Sequence, residues 1–369
     1  MSGDQMGLAE LTWSALDGFS RRLGIAPTSK TFAVALSGGP DSTALAHIFS
    51  RYVKTRFPGQ ERGRCVVVNH NLRPESASEA AVVAERAWRM GLEPTVRTLG
   101  LRSARQEVAR RGRLLELMGA GLEHGGTCVL TAHNRSDQLE TFVLRAMRAS
   151  GVRGLAGIPP VSLLSLSAAG GGMRIAAVRG GGQESLRPPS EGEIYAFRPL
   201  LGAPKADLVD YCEDNGLDYV SDPTNADLSY TRNAIRSHFG TVGAGPICRD
   251  LGTVSDLFSE VIVPRHSDRL RSMRAEAVLE FGDRNLKVDV EELRRHPREL
   301  VQDLLVDLVR HVAPRGGGRR APRMRSIQRL QRLMYEGKPC DVHGISCWPE
   351  NPRGLVYTFR RNLKDRSRR

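Results

Sequence analysis

The run SGGPDS, residues 37–42, has the composition of a phosphate-binding turn. It follows an apolar, strand-like stretch and precedes a helical one, so it lies where a strand passes into a helix. Gly38 and Gly39 let the backbone approach a ligand closely, while Ser42 and the N–H groups of the helix start favour an anion. A Walker loop would place a lysine here, on the outer phosphates, and this run has none. The turn therefore predicts a site for a departing pyrophosphate.

Asp41 places a carboxylate beside this predicted phosphate site. The two negative groups repel each other unless a divalent cation lies between them, so Asp41 is predicted to bind magnesium. The alternative is an ordinary glycine-rich turn with a serine cap. The whole string SGGPDS is more specific than such a turn requires, and we reject that alternative.

A second set of polar residues lies on the helical stretch SDQLETFVLRAM. At about 100° per residue, one side of this helix gathers Asp137, Glu140, Thr141 and Arg148. Two carboxylates one turn apart could bind an ammonium group or hold magnesium. A solvated helix face, with Asp137 placed favourably near the helix start, is the alternative.

Two histidines, His70 and His133, stand at the ends of predicted strands. In that position an imidazole could contact a nucleotide or a base. It could equally be a hydrogen-bonded structural histidine, and the sequence leaves both interpretations open.

The elements that must position these residues alternate from residue 31 to about 150. Short β-branched runs are separated by longer helical stretches; the runs are TFAVALS, RCVVVNH, TVRTL and CVLTAH. Such apolar strands need cover on both faces, which predicts an α/β fold with a parallel sheet between helices. Ligands of these sheets bind beyond the carboxyl ends of the strands, which is where the polar residues stand.

The rest of the chain divides into segments of different composition. Residues 1–30 are predicted to be a helical lead-in, and the catalytic domain is predicted to cover 31–240. Within it, the Gly-, Ser- and Pro-rich stretch 161–193 is predicted to be a flexible insertion. Residues 241–369 are predicted to be a mainly helical, basic region with a short β-containing end.

The net charge, the cysteines and the apolar stretches limit the classes of protein to which the chain could belong. The 54 Lys and Arg residues against 41 Asp and Glu residues leave a formal charge of +13, mostly from arginine, which favours phosphate contacts with RNA. The alternative causes are solubility and a high-GC genome, which favours arginine codons. The six cysteines are scattered, so neither a disulfide framework nor a zinc site is indicated. No stretch is apolar enough for a membrane span, and we expect a cytoplasmic protein, with a mitochondrial or plastid matrix as the alternative.

The run SGGPDS resembles the pyrophosphatase loop of the N-type ATP pyrophosphatases. Further segments are similar to those of the tRNA(Ile)-lysidine synthetases, in the same order, from about residue 30 to 240; they are VNHNLRPESASEA, TAHNRSDQLETFVLRAMRASGVRGLAGIPP, RPLLGAPKADLVDYCEDNGLDYVSDPTNAD and YTRNAIR. The resemblance implies a Rossmann-like sheet of the PP-loop ATPase, adenine nucleotide alpha hydrolase-like type.

The resemblance also implies a reaction. Members of that family use ATP to adenylate the wobble cytidine of a CAU anticodon, which releases pyrophosphate, and the ε-amine of lysine then displaces AMP. The implied cofactors are ATP and Mg²⁺, and the implied partners are L-lysine and tRNA(Ile) with a CAU anticodon, without a membrane. The sequence does not fix the oligomeric state, and a homodimer is one of the states it leaves open.

The resemblance assigns roles to individual residues. Arg113 is expected to stabilise negative charge that develops during adenylation, with a solvated helix face as its alternative. Arg232 and Arg236 are expected to contact the tRNA. The expected catalytic residues are Asp41, Arg113, Asp137 and Glu140. The expected ATP-binding residues are Ser37, Gly38, Gly39, Pro40, Asp41, Ser42 and His70. The expected substrate- or tRNA-binding residues are His133, Arg148, Arg232 and Arg236, and the expected magnesium ligands are Asp41 and Asp137.

Several positions depart from the family pattern. Ser136 stands where a second aspartate usually precedes the Asp-Gln pair, and the usual asparagine, glutamate and tyrosine of the arginine helix are replaced by Ala104, Gln106 and Leu114. Two competing functions therefore stay open. A tRNA thiolase on the same fold would commonly use paired cysteines, which are missing, and a catalytically decayed tRNA-binding protein would not retain both polar segments.

Overall fold

The computed structural model describes residues 7–60, 62–69, 71, 75–100, 106–148, 150–166, 173–178, 186–220, 231, 234–235, 237, 246–282, 285–313, 322–351 and 354–361. The chain forms two compact units. The first covers Met1–Ser167 and Met173–Val261, and the second is formed mainly by Ile262–Arg369. The first unit thus continues past 240, where the sequence predicts the end of the catalytic domain; the functional division at that point stays a prediction.

The described elements of the first unit alternate as expected. Its helices are α1 (Leu8–Leu23), α2 (Pro40–Arg56), α3 (Ser76–Met90), α4 (Gln106–Glu123), α5 (Arg135–Met147), α6 (Val152–Leu155), α7 (Lys205–Asp214) and α8 (Pro246–Leu257), after which Phe258–Ile262 is π-helical. Its strands are β1 (Phe32–Leu36), β2 (Gly63–Asn69), β3 (Leu92–Thr98), β4 (Cys128–Leu130), β5 (Val161–Leu166), β6 (Met173–Val178) and β7 (Glu193–Phe197).

These seven strands form one sheet in the order β3-β2-β1-β4-β7-β5-β6. The first five are parallel: Val34 of β1, for example, lies beside Cys65 of β2 and Leu130 of β4. Only β5 and β6 run antiparallel to their neighbours. The predicted α/β fold with a parallel sheet is confirmed.

Helices cover both faces of this sheet, and the alternation of side chains along β1 shows why. Phe32, Val34 and Leu36 belong to a core that includes Phe19 of α1, whose ring stacks on Phe197 at 4.8 Å between centroids. The intervening Ala33 packs on the opposite face, in a core with residues of α4. Because successive side chains of a strand point to opposite faces, a continuous apolar run is the pattern that a doubly covered strand requires.

The described part of the segment 161–193 differs from the expected flexible insertion. Its strands β5 and β6 pair with each other, and β5 also pairs with β7. Leu164 and Met173 are buried, with 1% and 7% of their surface exposed. Val161 and Leu163 of β5 pack in one core and Leu164 packs in the core on the opposite face, so the apolar residues of VSLLSL cover both faces, which outweighs the local Gly and Ser content. Residues 167–172 and 179–185 lie outside the described residues.

The second unit combines helices with an antiparallel sheet. Its described helices are α9 (Val263–Ala277), α10 (Val290–Arg294), α11 (Arg298–Val312) and α12 (Met324–Tyr335). Its described strands are β8 (Val278–Phe281), β9 (Asn285–Asp289), β10 (Cys340–Val342), β11 (Ile345–Pro349) and β12 (Val356–Arg361), in the order β10-β11-β12-β9-β8. The predicted helices and β-like end are present, while β8 and β9 add strands that the pattern did not indicate.

Apolar residues of α11 and α12 build the core of the second unit together with the sheet. Leu304, Leu308, Ile327, Tyr357 and Phe359 are at most 2% exposed. Among the described residues, no helix is both long and apolar enough to cross a bilayer.

Candidate active site

The carboxyl ends of β1 and β4 mark the point where the winding of the sheet reverses. From β1 the chain winds through β2 and β3 on one side, and it then returns to place β4 on the other side of β1. In open α/β sheets, ligands bind in the crevice at this switch point. The run 37–42 follows β1, and His133 comes three residues after the end of β4. The fold therefore brings these two predicted segments to the same crevice.

Gly38 adopts a conformation that the turn requires. Its φ of +84° lies in the left-handed region, where other residues are strained. A Cβ at this position would lie 2.6 Å from Cγ2 of Val83. The carbonyl of Gly38 accepts a hydrogen bond of 2.8 Å from the N–H of Val220, which joins the turn to the segment after α7.

Ser42 shapes the turn from inside. Its side chain is buried, and its hydroxyl donates to the carbonyl of Gly39 at 3.0 Å and accepts from the N–H of Ser37 at 3.2 Å. The hydroxyls of Ser37 and Ser42 are 3.1 Å apart, and Ser37 is exposed. The Ser42 hydroxyl thus holds the turn closed, while Ser37 lies at the surface where a ligand would arrive.

The start of α2 has the donor set of an anion site. Gly39 occupies the capping position in an extended conformation, with φ −73° and ψ 164°, and no side chain caps the helix. The N–H groups in the first turn of a helix have no acceptor within the helix, and they carry the positive end of its dipole. Backbone donors at a glycine-rich turn fit a phosphate group, which is what ATP would present.

The start of α5, after β4, is held by side chains. The Asn134 side chain accepts from the N–H groups of Ser136 at 2.9 Å and Asp137 at 3.2 Å, and an Asp137 carboxylate oxygen accepts from the N–H of Asn134 at 3.1 Å. This reciprocal pair is a capping box. Nδ1 of His133 lies 3.1 Å from the Thr131 hydroxyl. The Asp137 carboxylate therefore helps to cap α5, and the His133 imidazole is within hydrogen-bond distance of the Thr131 side chain.

Glu140 lies one turn further along α5 and is only 2% exposed. Burying a carboxylate costs free energy unless polar or charged partners compensate for the lost water. The alternative of a solvated face is therefore wrong for Glu140. Asp41 and Asp137 are only partly buried, in the first turns of α2 and α5, and their oxygens are suitable ligands for Mg²⁺.

Gln138 and Arg145 were not singled out by the sequence, and both fix the segment that follows α5. The Gln138 amide donates to the carbonyl of Ile158 at 3.0 Å and accepts from its N–H at 2.5 Å. Arg145 donates to the carbonyls of Gly154 and Gly157 at 2.7 and 2.8 Å. Polar residues within a helix followed by a glycine-rich stretch are the signal that could have suggested these contacts.

Two of the predicted site arginines, Arg113 and Arg148, lie in the described part of the chain, and their surroundings differ. Arg113 is partly buried on α4, so the alternative of a fully solvated face does not describe it. Arg148 is exposed at the end of α5, and at 1.5 Å per residue it lies about 16 Å along the helix axis from Asp137. The fold therefore does not bring Arg148 to the strand ends.

Comparison with known proteins decides the family. Residues 16–241 match the family model described as "PP-loop domain". The chain belongs to the PP-loop family. PP-loop domains use ATP, so ATP binding follows from this membership. The run 37–42 lies within the matched residues and is called the PP-loop turn below.

Curated relatives confirm the resemblance seen in the sequence. The tRNA(Ile)-lysidine synthase of Bradyrhizobium sp. strain BTAi1 is 36% identical over 232 residues, which cover 62% of this chain and 57% of that protein. The tRNA(Ile)-lysidine synthase of Methylobacterium sp. strain 4-46 is 30% identical over 311 residues, which cover 82% of this chain and 78% of that protein. The chain thus spans little more than half the length of the first of these relatives.

Solved structures are more distant. The U34-tRNA thiolase NcsA from Methanococcus maripaludis, with its [4Fe-4S] cluster, matches with a TM-score of 0.44 and 14% identity, over 67% of this chain and 80% of that chain.

Three predicted site residues, His70, Arg232 and Arg236, lie outside the described residues. Before the first of them, Asn69 ends β2 and is buried, and its side-chain oxygen accepts from the N–H of Asn71 at 2.8 Å. β2 is the neighbour of β1, so its carboxyl end lies at the same edge of the sheet as the PP-loop turn.

Proposed function

We propose that the chain is an ATP-dependent ligase, a tRNA(Ile)-lysidine synthetase. It joins the ε-amine of lysine to the wobble cytidine of a tRNA(Ile) with a CAU anticodon, and it releases AMP and pyrophosphate. The observation that carries the proposal is the PP-loop turn at the switch point between β1 and β4, in a chain whose relatives are tRNA(Ile)-lysidine synthases.

In the first step, the cytidine displaces pyrophosphate from ATP and becomes adenylated. The PP-loop turn contributes backbone N–H groups and the Ser37 hydroxyl, which bind the departing phosphates. Donors that are already in place stabilise the growing charge without reorganising, which lowers the barrier. The Arg113 guanidinium adds positive charge for the same purpose.

Asp41 and Asp137 would hold Mg²⁺ in this proposal. Both are carboxylates that follow neighbouring parallel strands, and Mg²⁺ is usually bound by one or two carboxylates together with phosphates. When bound, the ion would screen the charge of the triphosphate from the Asp41 carboxylate.

In the second step, the ε-amine of lysine attacks the adenylated cytidine and AMP leaves. Glu140 is proposed to bind the lysine ammonium, because its carboxylate lies one helical turn beyond Asp137 on α5 and a carboxylate attracts an ammonium group strongly where little water competes. His70 and His133 are proposed to contact the nucleotide and the base.

Binding of the tRNA is proposed to involve Arg148, Arg232, Arg236 and the second unit. In α12, Ile327, Leu330 and Met334 face the core, while the arginines lie on the surface; the exposed ones are Arg325, Arg329 and Arg332. An exposed row of arginines on one helix face favours phosphate contacts. A cytoplasmic location also belongs to the proposal. The oligomeric state, for which a homodimer is one candidate, would be measured by light scattering.

A tRNA thiolase is the less favoured alternative. Cys65 and Cys128 lie fully buried in strands, and burial raises the pKa of the Cys65 thiol to about 12 and that of the Cys128 thiol further. A buried thiol that stays protonated is a poor nucleophile and metal ligand, so these two cysteines do not suit sulfur transfer.

The test is transfer of labelled lysine. The full chain is incubated with ATP, Mg²⁺, labelled lysine and a tRNA(Ile) transcript with the CAU anticodon, and we expect label in the tRNA together with AMP and pyrophosphate. The matched control is the same transcript with a GAU anticodon, which should take up no label. Label that stays free with both transcripts, from protein that binds ATP, would contradict the proposal.

A further inference from the structure

Three side chains with metal-binding atoms converge in the second unit. Glu276 lies in the last turn of α9, Glu292 lies in α10, and His296 lies two residues after the end of α10. Nε2 of His296 is 3.6 Å from an oxygen of Glu276 and 3.7 Å from an oxygen of Glu292. The three ligand atoms all lie within 4.8 Å of one another, so they surround a single point.

The surroundings of the His296 imidazole also point to a ligand at this place. Its Nε2 is buried from solvent and forms no hydrogen bond with any group in the described part of the chain. A buried polar atom without a partner costs free energy, and native structures contain few of them. A cation between this nitrogen and the two carboxylates would supply the missing partner.

Glu292 is oriented for this purpose. One of its oxygens accepts from the Arg295 guanidinium at 2.6 Å, and the other faces His296. Glu292 and His296 are four residues apart, a spacing that places side chains on one face of a helical turn. An outer hydrogen bond that fixes a metal-binding carboxylate is common in metal sites and raises their affinity.

We propose that Glu276, Glu292 and His296 bind a divalent transition-metal ion, with Zn²⁺ as the best fit. Ligand atoms of a tetrahedral zinc site lie about 3.3 Å apart, since the bonds are about 2.0–2.1 Å long, so small side-chain movements suffice here. One imidazole and two carboxylates suit Zn²⁺ better than Mg²⁺, which prefers oxygen alone. Water completes the fourth position. The ion links the end of α9 to α10, and this inference does not depend on the proposed function.

The test is calorimetric titration of the metal-stripped full chain with Zn²⁺, and with Co²⁺ followed by visible absorption. The variants Glu276→Gln and His296→Gln each remove one ligand, and we expect each to weaken binding by more than about tenfold. Glu276 is exposed at a helix surface, so its variant is expected to fold even if the His296 variant does not.

The matched control is Glu291→Gln, because Glu291 is an exposed acid on α10 that is not one of the three ligands. It should bind zinc as the wild type does. Zinc binding that is unchanged in Glu276→Gln would overturn the proposal, as would a wild-type chain that binds no zinc at all. Equal weakening in Glu291→Gln would also overturn it, because the effect would then come from general surface charge.

Discussion

The helices α2 and α5 begin in equivalent places, each just beyond the end of one of two neighbouring parallel strands, but their first turns differ. At α2 the capping residue is Gly39, which has no side chain to accept a hydrogen bond. At α5 the Asn134 side-chain oxygen accepts hydrogen bonds from the N–H groups of Ser136 and Asp137. Since a helix start binds an anion through these N–H groups, the difference supports the proposed phosphate site at α2 and not one at α5.

The largest effect is expected from a substitution that gives α2 a side-chain cap of the kind that α5 has. In Gly39→Asn, the new side chain would accept from the N–H groups that we assign to the phosphates, so pyrophosphate release should fall by more than about 100-fold. The unfolding free energy should change by only a few tenths of a kcal/mol, since asparagine is a good capping residue. Pyrophosphate release and urea denaturation measure the two effects.

Gly39→Ala is the matched control for that substitution, because alanine adds bulk without an acceptor. A Cβ at Gly39 meets only the Ser37 hydroxyl at 3.9 Å and the carbonyl of Val220 at 4.0 Å, which are ordinary contacts. Release should therefore fall less than in Gly39→Asn. Equal activity of the asparagine variant and the wild type would place the phosphates elsewhere.

The next largest effect is expected at Gly38 and concerns stability. A substitution there tests the left-handed backbone conformation of the turn and not the capping of α2. Gly38→Ala forces a Cβ to within 2.6 Å of Val83 at a φ of +84°, so we expect a loss of about 1–3 kcal/mol of unfolding free energy. Urea denaturation measures it. A Gly38→Ala chain as stable as Gly39→Ala would show that the turn is not strained at this position.

Removing the cap of α5 should have a smaller effect, mainly on stability. Asn134→Ala leaves the partly buried N–H groups of Ser136 and Asp137 without their acceptor and should cost about 1 kcal/mol of unfolding free energy. Asn134→Asp should restore most of it, because its carboxylate can accept from the same groups. If Asn134→Ala instead abolished pyrophosphate release at unchanged stability, α5 would be part of the phosphate site.

The smallest effect concerns Cys212, whose thiol lies behind the first turn of α2, with Sγ 3.5 Å from the carbonyl of Pro40. Burial, helped by the negative charge of Asp41, raises the pKa of Cys212 from 9.0 to about 11. The folded state thus favours the protonated thiol, and this contribution to stability is present below pH 9 and is lost as the pH rises towards 11. The stability difference between the wild type and Cys212→Ala should therefore shrink over that range, as measured by urea denaturation. A constant difference would contradict the shift.

Local signals in the sequence predicted the sites of both helix starts. The apolar run before Ser37 and the Gly-Gly-Pro triplet indicate strand, turn and helix at their actual positions, because turns and helix starts depend on neighbouring residues. The capping box at Asn134 is also a local pattern, an asparagine with an aspartate three residues later, whereas the role predicted for Asp137 was metal binding.

Other features depend on contacts between distant residues, and sequence patterns did not reveal them. The burial of Glu140 results from how α5 packs, and β5 forms a strand because β7 offers it an edge. In the second unit, the spacing of Glu292 and His296 is visible in the sequence. The approach of Glu276 is not, because it requires the chain to return through β8 and β9.

The order of the strands has a consequence for synthesis on the ribosome. The crevice lies beyond the carboxyl ends of β1 and β4, and the pairing of Val34 with Leu130 places these two ends side by side. The turn after β1 is translated early, but the second wall of the proposed nucleotide pocket arrives only after β2, α3, β3 and α4 have been translated. The proposed ATP site is therefore complete only once β4 has left the exit tunnel, and ATP bound there would stabilise the fold only from that stage on.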